Sequence, residues 1–121
     1  MSLRPQVLVI DDDPGQRRAL HLLLQGGGFD VCACAAPDDT FCGGHLAGSA
    51  CLVAAHERAN GTGIDVLATL RARGWDGPAI LIAIGPSAQL HAATRDAGFS
   101  QCLARPFNDH ALVNAVRRAI G

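Results

Sequence analysis

Short apolar runs alternate with helical patterns five times along this chain, and that alternation constrains the fold more than any other feature. Val7-Leu8-Val9-Ile10 is four apolar, mostly β-branched residues in a row, which reads as a strand buried on both faces. From Pro14 to Gln25, Ala19, Leu20, Leu22, Leu23 and Leu24 form a stripe opposite Gln16-Arg17-Arg18. That predicts a helix opened by Pro14 and ended by Gly26-Gly27-Gly28. Phe29 to Ala35 is the second strand, and Pro37 to Leu46 starts like a helix that Gly43-Gly44 weakens. Cys51 to Ala55 is the third strand and Ile64 to Arg73 an amphipathic helix, followed by the breaker-rich connector Gly74-Trp75-Asp76-Gly77-Pro78. Ala79 to Ile84 is the fourth strand, Ser87 to Ala97 a helix, and Gln101 to Ala104 the fifth strand. Asn108 caps a last helix that runs to about Ile120 with Ala111, Leu112, Ala115, Val116 and Ala119 inward.

Strict β-α alternation predicts an α/β fold, a parallel sheet with helices on both faces. At 121 residues the chain is expected to be one domain. That domain spans 4–121, with Met1-Ser2-Leu3 set aside as a candidate expression scar. Hydrophobic residues at 49% against 17% charged exclude disorder. No apolar stretch approaches the roughly 18 residues of a membrane span. A formal charge of −1 with no basic block excludes electrostatic capture of nucleic acid or anionic membrane. The five cysteines, Cys32, Cys34, Cys42, Cys51 and Cys102, follow no secretory apolar segment. They are expected to be reduced, buried thiols of a cytoplasmic protein.

In a sheet of this kind functional groups collect beyond the carboxyl ends of the strands. Asp11-Asp12-Asp13-Pro14 follows strand one. Successive carboxylates raise one another's pKa, and a hard cation such as Mg²⁺ would explain them. The plainer explanation is that Asp13 caps the following helix and the others are solvated. Arg105-Pro106-Phe107 follows strand five at the same edge, so Arg105 can pair with the acidic cluster or with a phosphoryl group. Cys32 and Cys34 share one strand face, but no second clustered pair accompanies them to make a soft-metal site. Gly61-Thr62-Gly63 precedes a helix but lacks the Lys and the length of a phosphate-binding loop.

Val7 to Pro14, the Gly63-led helix and Ala104-Arg105-Pro106-Phe107 together resemble the receiver domain of two-component response regulators. The resemblance covers essentially the whole chain. It implies a flavodoxin-like, doubly wound (βα)5 fold with a five-stranded parallel sheet of order 2-1-3-4-5. It also implies the chemistry of the family: an Asp ending strand three takes a phosphoryl group from a histidine kinase. An acidic pair holds Mg²⁺, a Ser or Thr after strand four senses the phosphoryl group, and a Lys after strand five pairs with it. An aromatic on strand five turns inward on activation.

Here Asp11 and Asp12 match the acidic pair, and the other positions depart from the pattern. Counting back eight from Gly63 puts the acceptor on Ala55, and no Asp lies between Ala50 and Thr62. The sensor falls on Ala83, the Lys on Arg105 and the aromatic on Cys102. A methyl group cannot replace a carboxylate nucleophile. The expectation is a receiver that has lost its acceptor and works as a phosphorylation-independent interaction module, not an enzyme. Its cofactor would be none or a weakly bound Mg²⁺ at Asp11 and Asp12, with Glu57 as a further candidate ligand.

The alternative is a receiver still phosphorylated on Glu57 or His56 with Mg²⁺ at Asp11 and Asp12. Failing that role, Glu57 is expected to lean toward Arg105 or into solvent, and His56 to be a surface histidine. A third class, a small nucleotide or flavin binder, lacks a phosphate-binding loop after strand one. Partners would be a histidine kinase, an output domain or another signalling protein, and neither nucleic acid nor membrane; a homodimer is also open. The family's working surface is the helix 4–strand 5–helix 5 face, which here carries Leu90, Ala93, Cys102, Leu103, Ala111 and Ala115. No output domain follows Gly121, so the chain is expected to be a single-domain protein or a piece of a larger kinase or regulator.

Overall fold

A computed structural model describes residues 4–37, 46–59 and 61–121. The described elements run β1 (Gln6–Ile10), α1 (Pro14–Gly26), β2 (Asp30–Cys34), β3 (Ser49–Ala55), α2 (Gly63–Ala72), β4 (Ala79–Ile84), α3 (Ala88–Asp96), β5 (Gln101–Arg105) and α4 (Asp109–Ile120). The helix expected over 37–46 falls on 38–45, outside the described residues. All strand pairs are parallel and the sheet order is β2-β1-β3-β4-β5. This is the expected flavodoxin-like order, with the chain reversing direction across the sheet between β1 and β3.

The period of two along each strand divides the core into halves. Val7, Val9, Cys51, Val53, Ile80 and Ile82 face α1 and α4, where they meet Leu20, Leu24, Leu112 and Val116. Leu8, Ile10, Leu52, Ala54 and Leu81 face the other way, onto Val66, Leu67 and Leu70 of α2 and onto Trp75 and Phe99. Both faces of the central strands are therefore dry, which is why their sequence shows continuous apolar runs and no alternation. Trp75 resolves its one polar atom by donating from Nε1 to Ser49 O at 3.1 Å.

Each helix begins on a side-chain cap. Asp13 Oδ2 accepts from Gln16 N–H at 2.7 Å, and Asn108 Oδ1 accepts from Ala111 N–H at 2.8 Å. Thr62 and Asp65 form a reciprocal capping box at α2. Cys32, Cys34 and Cys51 are buried, as expected, and Cys102 is half-buried. Cys34 is disulfide-bonded, which departs from the expectation of uniformly reduced thiols, whereas Cys51 and Cys102 are free. No described helix is long and apolar enough to cross a membrane.

Candidate functional site

The carboxyl ends of β1, β3, β4 and β5 form one edge. Ile10 is level with Ala54, so Asp11 and Ala55 extend their strands side by side. Ala55 pairs with Ile82, Ala83 with Ala104, and Ile84 with Arg105. Asp11, Asp12, Ala55, Ala83 and Arg105 are thus brought to one edge from four strands. Ala55 and Ala83 are buried and place two methyl groups there.

Asp11 is buried at 1% exposure. Its Oδ1 accepts from Asp13 N–H at 2.9 Å, and its Oδ2 lies 3.5 Å from Nη2 of Arg105. That distance is an ion pair with a long, single contact, short of the bidentate geometry a guanidinium can give. Burial pushes the Asp11 carboxyl above its ordinary value. The Asp13 amide and the Arg105 guanidinium pull it down, in that order of size, and do not fully offset the burial. The backbone carbonyl of Asp11 is held as well, accepting from Nη1 of Arg17 at 2.9 Å.

The remaining acids of the edge also take internal donors. Asp12 Oδ2 accepts from Ala59 N–H at 2.6 Å, tying the loop after β1 to the loop after β3. Glu57 Oε2 accepts from Ile84 N–H at 3.1 Å, tying the loop after β3 to the end of β4. Of the two expected placements, Glu57 does not reach for Arg105 and is exposed to solvent; Arg105 finds the buried Asp11, whose desolvated charge attracts it more strongly than an exposed one. His56 is half-buried, with Nδ1 enclosed and without a hydrogen-bond partner among the described residues, and is not the surface histidine expected.

The carboxylates a divalent cation would use at this edge are partly committed within the chain. Asp11 and Asp12 each already accept a hydrogen bond from a backbone amide. Asp11 also carries the arginine, and among the described residues no three His, Cys, Asp or Glu side chains gather as metal ligands. The Arg105–Pro106 peptide is cis, and Phe107 and Ile84 line one surface pocket beside it.

Of the expected interaction face, Leu90, Cys102, Leu103 and Ala111 are half-buried and Ala93 is exposed. Ala115 is not on that surface: at 1% exposure it packs in the core with Leu112 and Val116. Sequence reasoning missed the Asp12–Ala59, Glu57–Ile84 and Arg17–Asp11 links, because a hydrogen bond to a backbone group leaves no trace in residue type. It also missed the capping box, for which T-x-x-D at Thr62 was a readable signal.

A family model described as the response regulator receiver domain matches residues 7–117. No curated protein matches. A response regulator receiver domain protein of Clostridium thermocellum superposes with a TM-score of 0.85 at 17% identity, covering 96% of this chain and 94% of that one. The chemotaxis protein CheY4 of Vibrio cholerae gives 0.85 at 19% identity, covering 96% of this chain and 98% of that one. A sensor protein of Polaromonas sp. JS666 gives 0.82 at 24% identity, covering 97% and 96%. These likenesses establish the fold and the family model spans nearly the whole chain; the protein belongs to the response regulator receiver domain family.

Proposed function

We propose that this receiver has lost the phosphoacceptor Asp and signals by binding a protein partner, independently of phosphorylation and without catalysis. Ala55 stands at the end of β3 where the family carries its acceptor, and Ala83 stands where the family carries its hydroxyl. The observation that carries the reading is the Arg105–Asp11 ion pair set beside these two methyl groups. A phosphorylation site needs a carboxylate nucleophile and spare acidic ligands for Mg²⁺. Here the nucleophile position is a methyl, Asp11 is paired with Arg105, and Asp12 accepts from a backbone amide.

Mg²⁺ at Asp11 and Asp12 is therefore weak or vestigial in this reading. Glu57 is a poor substitute acceptor, since one oxygen is already engaged by Ile84 N–H. Receivers interact with kinases, output domains or other signalling proteins. The half-buried apolar residues Leu90, Cys102 and Leu103, on α3 and β5, are the surface assigned to such a cytoplasmic partner.

Incubation with acetyl phosphate and Mg²⁺, read by intact mass, tests the reading. No phosphorylated species is expected for the wild-type chain, and Ala55→Asp is expected to gain a labile one. A phosphorylated wild-type species that disappears in Glu57→Ala would overturn it.

A further inference from the structure

β3 and β4 separate at the site edge one hydrogen bond before β4 ends. Ala55 is level with Ile82, and His56 N–H donates to Ile82 O at 2.8 Å. The next bond of a parallel ladder would run from Ile84 N–H to His56 O. His56 O accepts instead from Gly63 N–H at 3.3 Å, and Glu57 bridges antiparallel to Thr62, which turns the chain away from β4. Ile84 N–H is thus a strand donor with no strand left beside it. The Glu57 side chain stands in for the missing carbonyl, its Oε2 accepting from that N–H at 3.1 Å.

Arg105 belongs to the same place. It is level with Ile84, and its Nη2 reaches Asp11 beyond β1 at 3.5 Å. β4 and β3 lie between β5 and β1, so the arginine side chain spans their ends, where Ala55 and Ala83 stand. A guanidinium has five N–H donors, and this one makes a single long contact to Asp11. An open amide beside a guanidinium is a donor set for a small oxyanion. Glu57 takes the amide of that set and is fixed there through its own backbone bridge to Thr62 and through Asp12, which accepts from Ala59 N–H at 2.6 Å. Burial raises the pKa of the Cys102 thiol on β5 and the Glu57 charge adds to it, which sets that charge over β4 on the side of β5.

On the reading that the acceptor is lost, we infer that Glu57 is an internal ligand: its carboxylate closes a small-oxyanion site formed by Ile84 N–H and the Arg105 guanidinium. A tethered carboxylate competes with free anions at high effective concentration, and its charge repels a second anion. The edge is thereby held in a self-liganded state. Removing the carboxylate opens the site to inorganic phosphate without a metal.

Titration of the full chain with sodium phosphate to about 50 mM at constant ionic strength, followed by amide NMR, tests this. Glu57→Ala is expected to give a saturating shift at Ile84 and Arg105, and the wild type none. Adding Arg105→Gln to Glu57→Ala is expected to weaken phosphate binding about tenfold or more. Circular dichroism establishes that each variant is folded. A folded Glu57→Ala chain with no saturating shift at Ile84, a wild type that binds phosphate as tightly as Glu57→Ala, or a double variant that binds as tightly as the single one overturns the assignment. Intact mass after acetyl phosphate separates this from the loss of the acceptor: covalent phosphate on the wild type overturns that loss, whereas a failed titration with no mass gain overturns the internal ligand alone.

Discussion

Asp11 and Arg105 stand 94 positions apart and form the one close ion pair at the site edge among the described residues. Because burial dominates, the folded-state pKa of Asp11 lies above its ordinary 3.8. Between those two values the folded state binds more protons than the unfolded one. Stability therefore falls as pH rises from 3.8 to the folded value and is level above it. Removing the guanidinium strands the buried charge, so Arg105→Ala should raise the Asp11 pKa further and widen that window upward. At neutral pH a loss of about 1 to 3 kcal/mol is expected. Well below pH 3.8 Asp11 is protonated in both states, and only the packing part of the loss should remain. Urea unfolding of both proteins at pH 7 and at the acid limit measures this. An equal loss at both would mean the pair contributes no electrostatic stability.

The elements show where a sequence speaks and where it is silent. The run Ala79–Ile84 is β4 with the expected ends, because hydrophobicity alone fixes a strand dry on both faces. Gln6 and Ser49 begin β1 and β3 but are polar, so an apolar run does not reach back to them. They are level in the sheet, with Gln6 Nε2 donating to Ser49 Oγ at 3.0 Å, a pairing only the tertiary fold creates. The same limit applies at the site. Asp11, Asp12, Glu57 and Arg105 could be singled out by type and by strand end, but which would pair depended on loop geometry that residue order does not encode.

Gly63 illustrates a further constraint, at the first position of α2. A Cβ there would come within 2.8 Å of the Ala55 carbonyl and run into Leu81 Cδ1. Glycine is needed for close approach of the helix to the end of β3, not for its backbone angle. Gly63→Ala should therefore destabilise by about 1 to 3 kcal/mol through overpacking, even though alanine is the better helix former by about 1 kcal/mol. The amide signals of Ala55 to Glu57 should shift in the same variant. Thr62→Ala, which removes the cap alone, should cost about 1 kcal/mol and leave those signals in place. A Gly63→Ala protein as stable as the wild type would show that α2 can move off the strand.

For the molecule as a whole, the question is whether it has two states for a ligand to choose between. A ligand shifts an equilibrium only by its differential affinity for the two states. In the proposed reading, three links that would lead from the strand ends toward α3 and β5 are closed. Ala83 is fully buried and offers no hydroxyl to a phosphoryl analogue. Glu57 already fills the hydrogen-bonding capacity of Ile84 N–H. Cys102 has no ring to turn inward. Thr94 is buried and donates from Oγ1 to Leu90 O at 2.6 Å within α3.

The chain should therefore hold one conformation. Titration with beryllofluoride and Mg²⁺, followed by amide signals in NMR, is expected to leave α3 and β5 unmoved. Any weak effect should stay among Asp11 to Asp13 and the loop after Ala55. Partner affinity should likewise change by less than about tenfold, or about 1.4 kcal/mol of coupling. A saturating shift that runs together through Leu90, Thr94 and Cys102 would reveal a second state, and with it a route around the missing hydroxyl and ring. Absent that shift, control of this receiver would rest on how much of it is present and on what its partner does, as the proposed loss of phosphoryl switching requires.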